Sequence, residues 1–129
     1  MIAAAMEILP SPVASTALSR ELWTSLASLL RSHVAMRAMA RPAAGWRVLA
    51  SSEQMVGVEA CGRTLSATFT DACGTGTIEL NANSAGIEIV AFFFTDDGLL
   101  HMKVNPAAPD QESMAMEAAV ESLLDRVCR

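Results

Sequence analysis

The sequence predicts an α+β fold: a five- or six-stranded antiparallel meander covered on one face by an N-terminal and a C-terminal helix. Three observations predict it. A helix-spaced stretch opens the chain, about sixty residues of short alternating segments divided by turn residues follow, and a second amphipathic stretch closes it.

The first helix is expected from about Pro12 to Ala40. Leu18, Leu22, Leu26, Leu29, Leu30 and Val34 fall within one arc, with Arg20, Thr24, Ser28 and Arg31 opposite. It starts either at Pro12 behind a Ser11 cap or nearer Ser15 or Ser19, and Pro42 and Gly45 end it. His33 projects into the apolar arc, where it is expected as a neutral, packed residue. A first strand from Trp46 to Ser51 has no fixed register.

The remaining strands can be paired by assuming two-residue hairpins at Cys61-Gly62, Cys73-Gly74, Asn83-Ser84 and Asp97-Gly98, because Gly and Asn tolerate positive φ. Counting outward sets Val58 opposite Leu65, Phe69 opposite Ile78, Leu80 opposite Ile87 and Phe93 opposite Met102. Every pair is apolar, and all lie on one face with Val56, Ala67, Ile89, Ala91, Leu100 and Val104. After the stiff Pro106-Ala107-Ala108-Pro109 connector, Asp110 is an expected N-cap. The closing helix then places Met116, Ala119, Val120, Leu123 and Val127 on one stripe, opposite Glu117, Glu121 and Asp125.

At 129 residues the chain is read as one domain, 1–129, with 1–11 a loose N-terminal segment. The longest apolar run, Ile87 to Phe94, contains Glu88 and is too short to span a membrane. Met1 to Leu9 lacks a positive n-region and carries Glu7, so a secretory leader is not expected and a cytoplasmic location is. Cys61, Cys73 and Cys128 match neither a disulfide framework nor a zinc spacing and are expected as reduced thiols.

A net charge of -5 argues against nucleic acid as a partner, since the phosphate backbone demands a concentrated basic face. Arg31, Arg37, Arg41 and Arg47 run off the end of the first helix, where cations complement its dipole. No cofactor motif is present: Gly74-Thr75-Gly76 is too short for a phosphate loop and reads as a hairpin tip.

The other sheet face is expected to carry Thr64, Ser66, Thr68, Thr70, Thr77, Glu79, Asn81, Glu88, His101 and Lys103. The assumed register sets Glu79 opposite Glu88, a like-charge pair that could share a proton or, with His101, serve acid/base or ligand chemistry. On the same face Val90, Phe92 and Phe94 make the fifth strand apolar on both sides, and such a strand is normally covered on both. The cover is another part of the chain, a second copy or partner, or a small ligand. The sequence therefore favours a non-catalytic interaction module, a homodimer or a binder of a protein partner, using Val90, Phe92 and Phe94. The alternative is a small-ligand binder or enzyme using the Glu79/Glu88 face with His101.

Overall fold

The computed structural model describes residues 13–82, 86–103 and 113–128. Its elements are α1 (Thr16–Ala40), a 3-10 turn (Pro42–Ala44), β1 (Arg47–Ser51), β2 (Met55–Ala60), β3 (Arg63–Thr70), β4 (Thr75–Ala82), β5 (Gly86–Phe94), β6 (Leu100–Lys103) and α2 (Met116–Val127). The six strands form one antiparallel sheet in the order β1-β2-β3-β4-β5-β6. Both helices contribute to the core on one face of it, giving the expected α+β meander. The Asp110 cap, the Asn83-Ser84 turn, Val104 and the loose segment 1–11 lie outside the described residues.

Helix α1 begins one residue after Ser15, whose Oγ accepts a hydrogen bond from the Leu18 N–H at 3.2 Å. This satisfies one of the N–H groups left unpaired at a helix start. Before it, the Ala14 N–H donates to the Phe94 carbonyl at 3.0 Å, tying the entry of the helix to the end of β5. The buried face is Ser19, Trp23, Leu26, Ala27, Leu30, His33 and Val34, while Leu18, Leu22 and Leu29 flank it half-buried. The apolar arc is thus centred on Trp23, which counting leucines alone leaves out.

Trp23 organises the core. Its ring stacks on Phe69 at 5.5 Å and on Phe92 at 6.2 Å, and Phe94 closes the cluster edge-on to Phe92 at 5.7 Å. Its indole N–H donates to the Glu53 carbonyl at 2.7 Å. Replacing Trp23 with Phe should cost about 1–2 kcal/mol through that lost hydrogen bond alone. Chemical denaturation checks the value, and no loss would mean that the bond contributes nothing to the fold.

The register agrees with expectation in one hairpin and departs in three. Ala60 pairs with Arg63 across Cys61-Gly62, so Val58 faces Leu65. Both turn residues have positive φ, 54° and 72°, as a two-residue turn of this hand requires. The β3–β4 turn spans 71–74 instead of two residues, since Thr70 pairs with Thr75, and Ile78 sits opposite Ala67 instead of Phe69. Parity survives, and Phe69 and Ile78 remain on the core face.

The next turn slips by one residue. Ala82 pairs with Gly86, which sets Leu80 opposite Glu88 and Asn81 opposite Ile87. An odd slip turns a whole strand over. Val90, Phe92 and Phe94 therefore point into the core, each 2% exposed or less, and Ile87, Ile89, Ala91 and Phe93 take the outer face. The β5–β6 turn slips again, with three residues, Asp96 to Gly98, between Thr95 and Leu99, and Gly98 at φ 84°. Phe92, not Phe93, meets Met102, and the two slips cancel so that Leu100 and Met102 are buried as expected.

Gly76 is a strand residue, not a hairpin tip. It lies between Phe69 and Phe92 on the core face, and the absence of a side chain there makes room for the Phe92 ring.

Helix α2 buries Ala119, Val120, Leu123, Leu124 and Val127, close to the expected stripe. Its acidic side is partly offset by Arg37, which reaches Asp125 at 2.9 Å. Leu100 and Met114 exchange two backbone hydrogen bonds, of 2.8 and 2.9 Å, so the chain entering α2 lies along β6.

The expectation of reduced thiols fails at Cys61 and Cys128 and holds at Cys73. Cys61 and Cys128 form a disulfide with their Cα atoms 5.6 Å apart, and Cys73 is free and exposed. The pairing was hidden because the partners are 67 residues apart, one at a hairpin tip and one at a helix end. A bridge closing a loop of that length restricts the unfolded chain by about 4 kcal/mol in the chain-entropy account.

Candidate interaction face and side clefts

The outer sheet face is built by the residues that alternate with the core. Its polar part comes from β3 and β4, with Thr64, Ser66, Thr68, Thr77, Glu79 and Asn81 in the expected positions. Its apolar part comes from β5. Ile87 is 64% and Ile89 55% exposed, Ala91 is exposed, and Phe93 is half-buried. Two large aliphatic side chains standing open two residues apart on a sheet form a contiguous patch, unlike singly scattered surface residues.

Phe93 stacks against His101 of β6, with ring centroids 4.7 Å apart and planes 24° from parallel. His101 Nδ1 lies 3.2 Å from Ser113 Oγ. The imidazole thus extends the apolar strip toward the sheet edge. At the opposite edge, β1 is exposed along its length, and an irregularity between Val48 and Ala50 leaves Leu49 46% exposed. Such a bulge interrupts an otherwise continuous edge ladder.

Among the described residues charge on this face is sparse, and the register sets Lys103 opposite Ala91. Arg47 and Glu59 pair at 3.2 Å, and Glu79 is exposed beside Ile89. The helix side holds Glu117, Glu121 and Asp125 together.

The structure separates the acid pair expected from the sequence. Glu79 lies opposite Ile89 on the outer face, whereas Glu88 lies opposite Leu80 on the other side of the sheet, where Arg126 of α2 takes it as an ion-pair partner. The one-residue slip at the β4–β5 turn is the cause. His101 is on the outer face with Glu79, against Phe93. Among the described residues, no group of three His, Cys, Asp or Glu side chains gathers in a way that could hold a metal ion. No helix among them is long and apolar enough to cross a membrane.

Val90, Phe92 and Phe94 are covered within the chain, by the Trp23 face of α1, and are not an outer interface. β5 is apolar on both sides, as expected, but its buried and outer sides are exchanged.

Two clefts flank α1. One of about 530 Å³ is lined by Arg20, Trp23, Arg31, Ser51, Ser52 and Asp71 among others. Its cations are engaged, Arg20 with Asp71 at 3.1 Å and Arg31 with Ser51 Oγ at 3.2 Å. The other, about 460 Å³, lies where α1, the 3-10 turn, the β2–β3 turn and the end of α2 meet. Arg37, Arg41, Trp46, Asp125 and both bridged cysteines line it. Arg37 stacks over the Trp46 ring at 5.2 Å while holding Asp125.

Comparison with protein families, with characterised proteins and with solved structures finds no match to this chain.

Proposed function

We propose that this protein is a non-catalytic interaction module that pairs with a second copy of itself through the outer sheet face, centred on Ile87, Ile89 and Phe93. The observation that carries the reading is the exposure of Ile87 and Ile89 on a strand whose other side is already buried. Covering aliphatic surface contributes about 25 cal/mol per Å² removed from water. Charge permits a second copy. The chain carries -5 overall, yet around β5 the described outer face offers one exposed carboxylate, Glu79, so two like-charged molecules meet there with little repulsion. The small hydroxyl side chains of β3 and β4 leave a low surface on which a facing sheet can lie, and a two-fold axis is the commonest way to close such a self-complementary patch.

The cytoplasmic location belongs to the same proposal. The Cys61–Cys128 bridge is the observation against it, because reducing compartments rarely hold permanent disulfides.

Changing Ile87 and Ile89 together to Ser tests the face. Both positions are exposed, so the variant should stay folded within about 0.5 kcal/mol per site once measured as a monomer, and light scattering should find single chains where the unmodified protein is paired. Pairing that survives this change but is lost in Val48→Ser with Leu49→Ser would move the interface to the β1 edge and overturn the assignment.

A further inference from the structure

We propose that the cleft lined by Arg37, Arg41, Trp46 and the Cys61–Cys128 bridge is a thiol–disulfide exchange site that takes an anionic low-molecular-weight thiol. Both sulfur-bearing residues line a cavity of about 460 Å³ instead of being sealed in the core, and Cys61 stands exposed at the tip of its turn. A disulfide placed for stability alone gains nothing from a cleft large enough for a small molecule beside it.

The cleft has the parts such a ligand needs. Arg41 is exposed and makes no ion pair among the described residues, so its guanidinium is free to take a carboxylate. Arg37 is already matched to Asp125, which cancels the acid that would otherwise repel an anion. Trp46 and the small side chains of Ala40 and Ala44 offer apolar contact. The Cys61 N–H donates to the Ala44 carbonyl at 2.8 Å, fastening the turn to the 3-10 segment that starts directly after Arg41. That bond ties the backbone next to Arg41 to the turn that carries the reacting sulfur.

The reaction balances with the thiol as reductant. A thiolate RS⁻ attacks Cys61 Sγ, the S–S bond breaks, a mixed disulfide forms on Cys61, and Cys128 leaves as a thiolate. A second RS⁻ attacks the sulfur of the bound RS group, RSSR departs and Cys61 is released as a thiolate. Two RSH become RSSR, and the two cysteine thiolates take up the two protons the reagents lost. With RSSR in excess, the sequence runs backward and re-forms the bridge.

The test uses the oxidised full chain carrying Cys73→Ser, so that one disulfide and no other thiol is present. Its reduction is timed with mercaptoacetate, 2-mercaptoethanol and cysteamine, each corrected for its thiolate fraction. The anionic thiol should be fastest, its advantage should fall roughly ten-fold in Arg41→Gln and in high salt, and Arg41→Lys should retain most of it. Arg31→Gln, outside this cleft, should change nothing. Acid-quenched mixtures should show the mercaptoacetate adduct on Cys61. Rates that ignore thiol concentration, meaning that the bridge opens only when the protein unfolds, would overturn the proposal, as would rates with no charge order.

Discussion

Replacing Phe92 with Ala should destabilise the protein by about 3–5 kcal/mol, the usual cost of deleting a buried aromatic ring. Phe92 is 2% exposed and touches the rings of both Trp23 and Phe94, so the lost volume lies at the centre of the aromatic cluster that joins α1 to the sheet. Urea unfolding followed by tryptophan fluorescence reports the change, because Trp23 is the stacking partner. Ile89→Ala, three residues away and on the opposite face of the same strand, should lie within about 0.5 kcal/mol in the monomer. The contrast between the two measures which side of β5 is inside. A small loss at Phe92 with a large one at Ile89 would restore the opposite register.

Gly76→Ala should be worse than its single methyl suggests. A Cβ built at Gly76 would collide with the Phe92 ring and with the Thr68 carbonyl oxygen. A ring can rotate away, but a carbonyl paired in the centre of a sheet cannot move without disturbing its ladder. Overpacking in a tight core costs about 1–3 kcal/mol, and the backbone clash places this substitution at or above the upper end. Adding Phe92→Leu should recover only part of the loss, since it relieves the ring contact and leaves the carbonyl contact. Thermal unfolding of the two variants checks this, and a Gly76→Ala protein as stable as the parent would contradict the placement of Gly76 on the core face of β4.

The architecture was legible because its signals are local. Ser15 before a leucine-spaced stretch, Pro42 and Gly45 after it, and apolar alternation between turn residues all act through neighbouring residues, and they suffice for element order and for a meander. The face of β5 was not legible, because it depends on the length of one turn. Ala82↔Gly86 pairing and the assumed two-residue turn differ by a single residue, yet that residue exchanges Ile87 and Ile89 for Val90, Phe92 and Phe94. Two clues favoured the observed side: Gly86 itself, whose φ is 85°, and Trp23 on α1, an aromatic partner better matched to Phe than to Ala or Ile. The Glu79/Glu88 pair failed with the register that produced it. The cleft was only half visible, since Arg37 and Arg41 stood out as a basic cluster while Cys61 and Cys128 meet only through the tertiary fold.

Self-association through the outer face is most directly tested by sedimentation equilibrium of the unmodified, oxidised protein across the micromolar range. The account predicts a two-chain species that dissociates on dilution and is little affected by salt, because the contact is aliphatic. A single-chain mass at every concentration would contradict it.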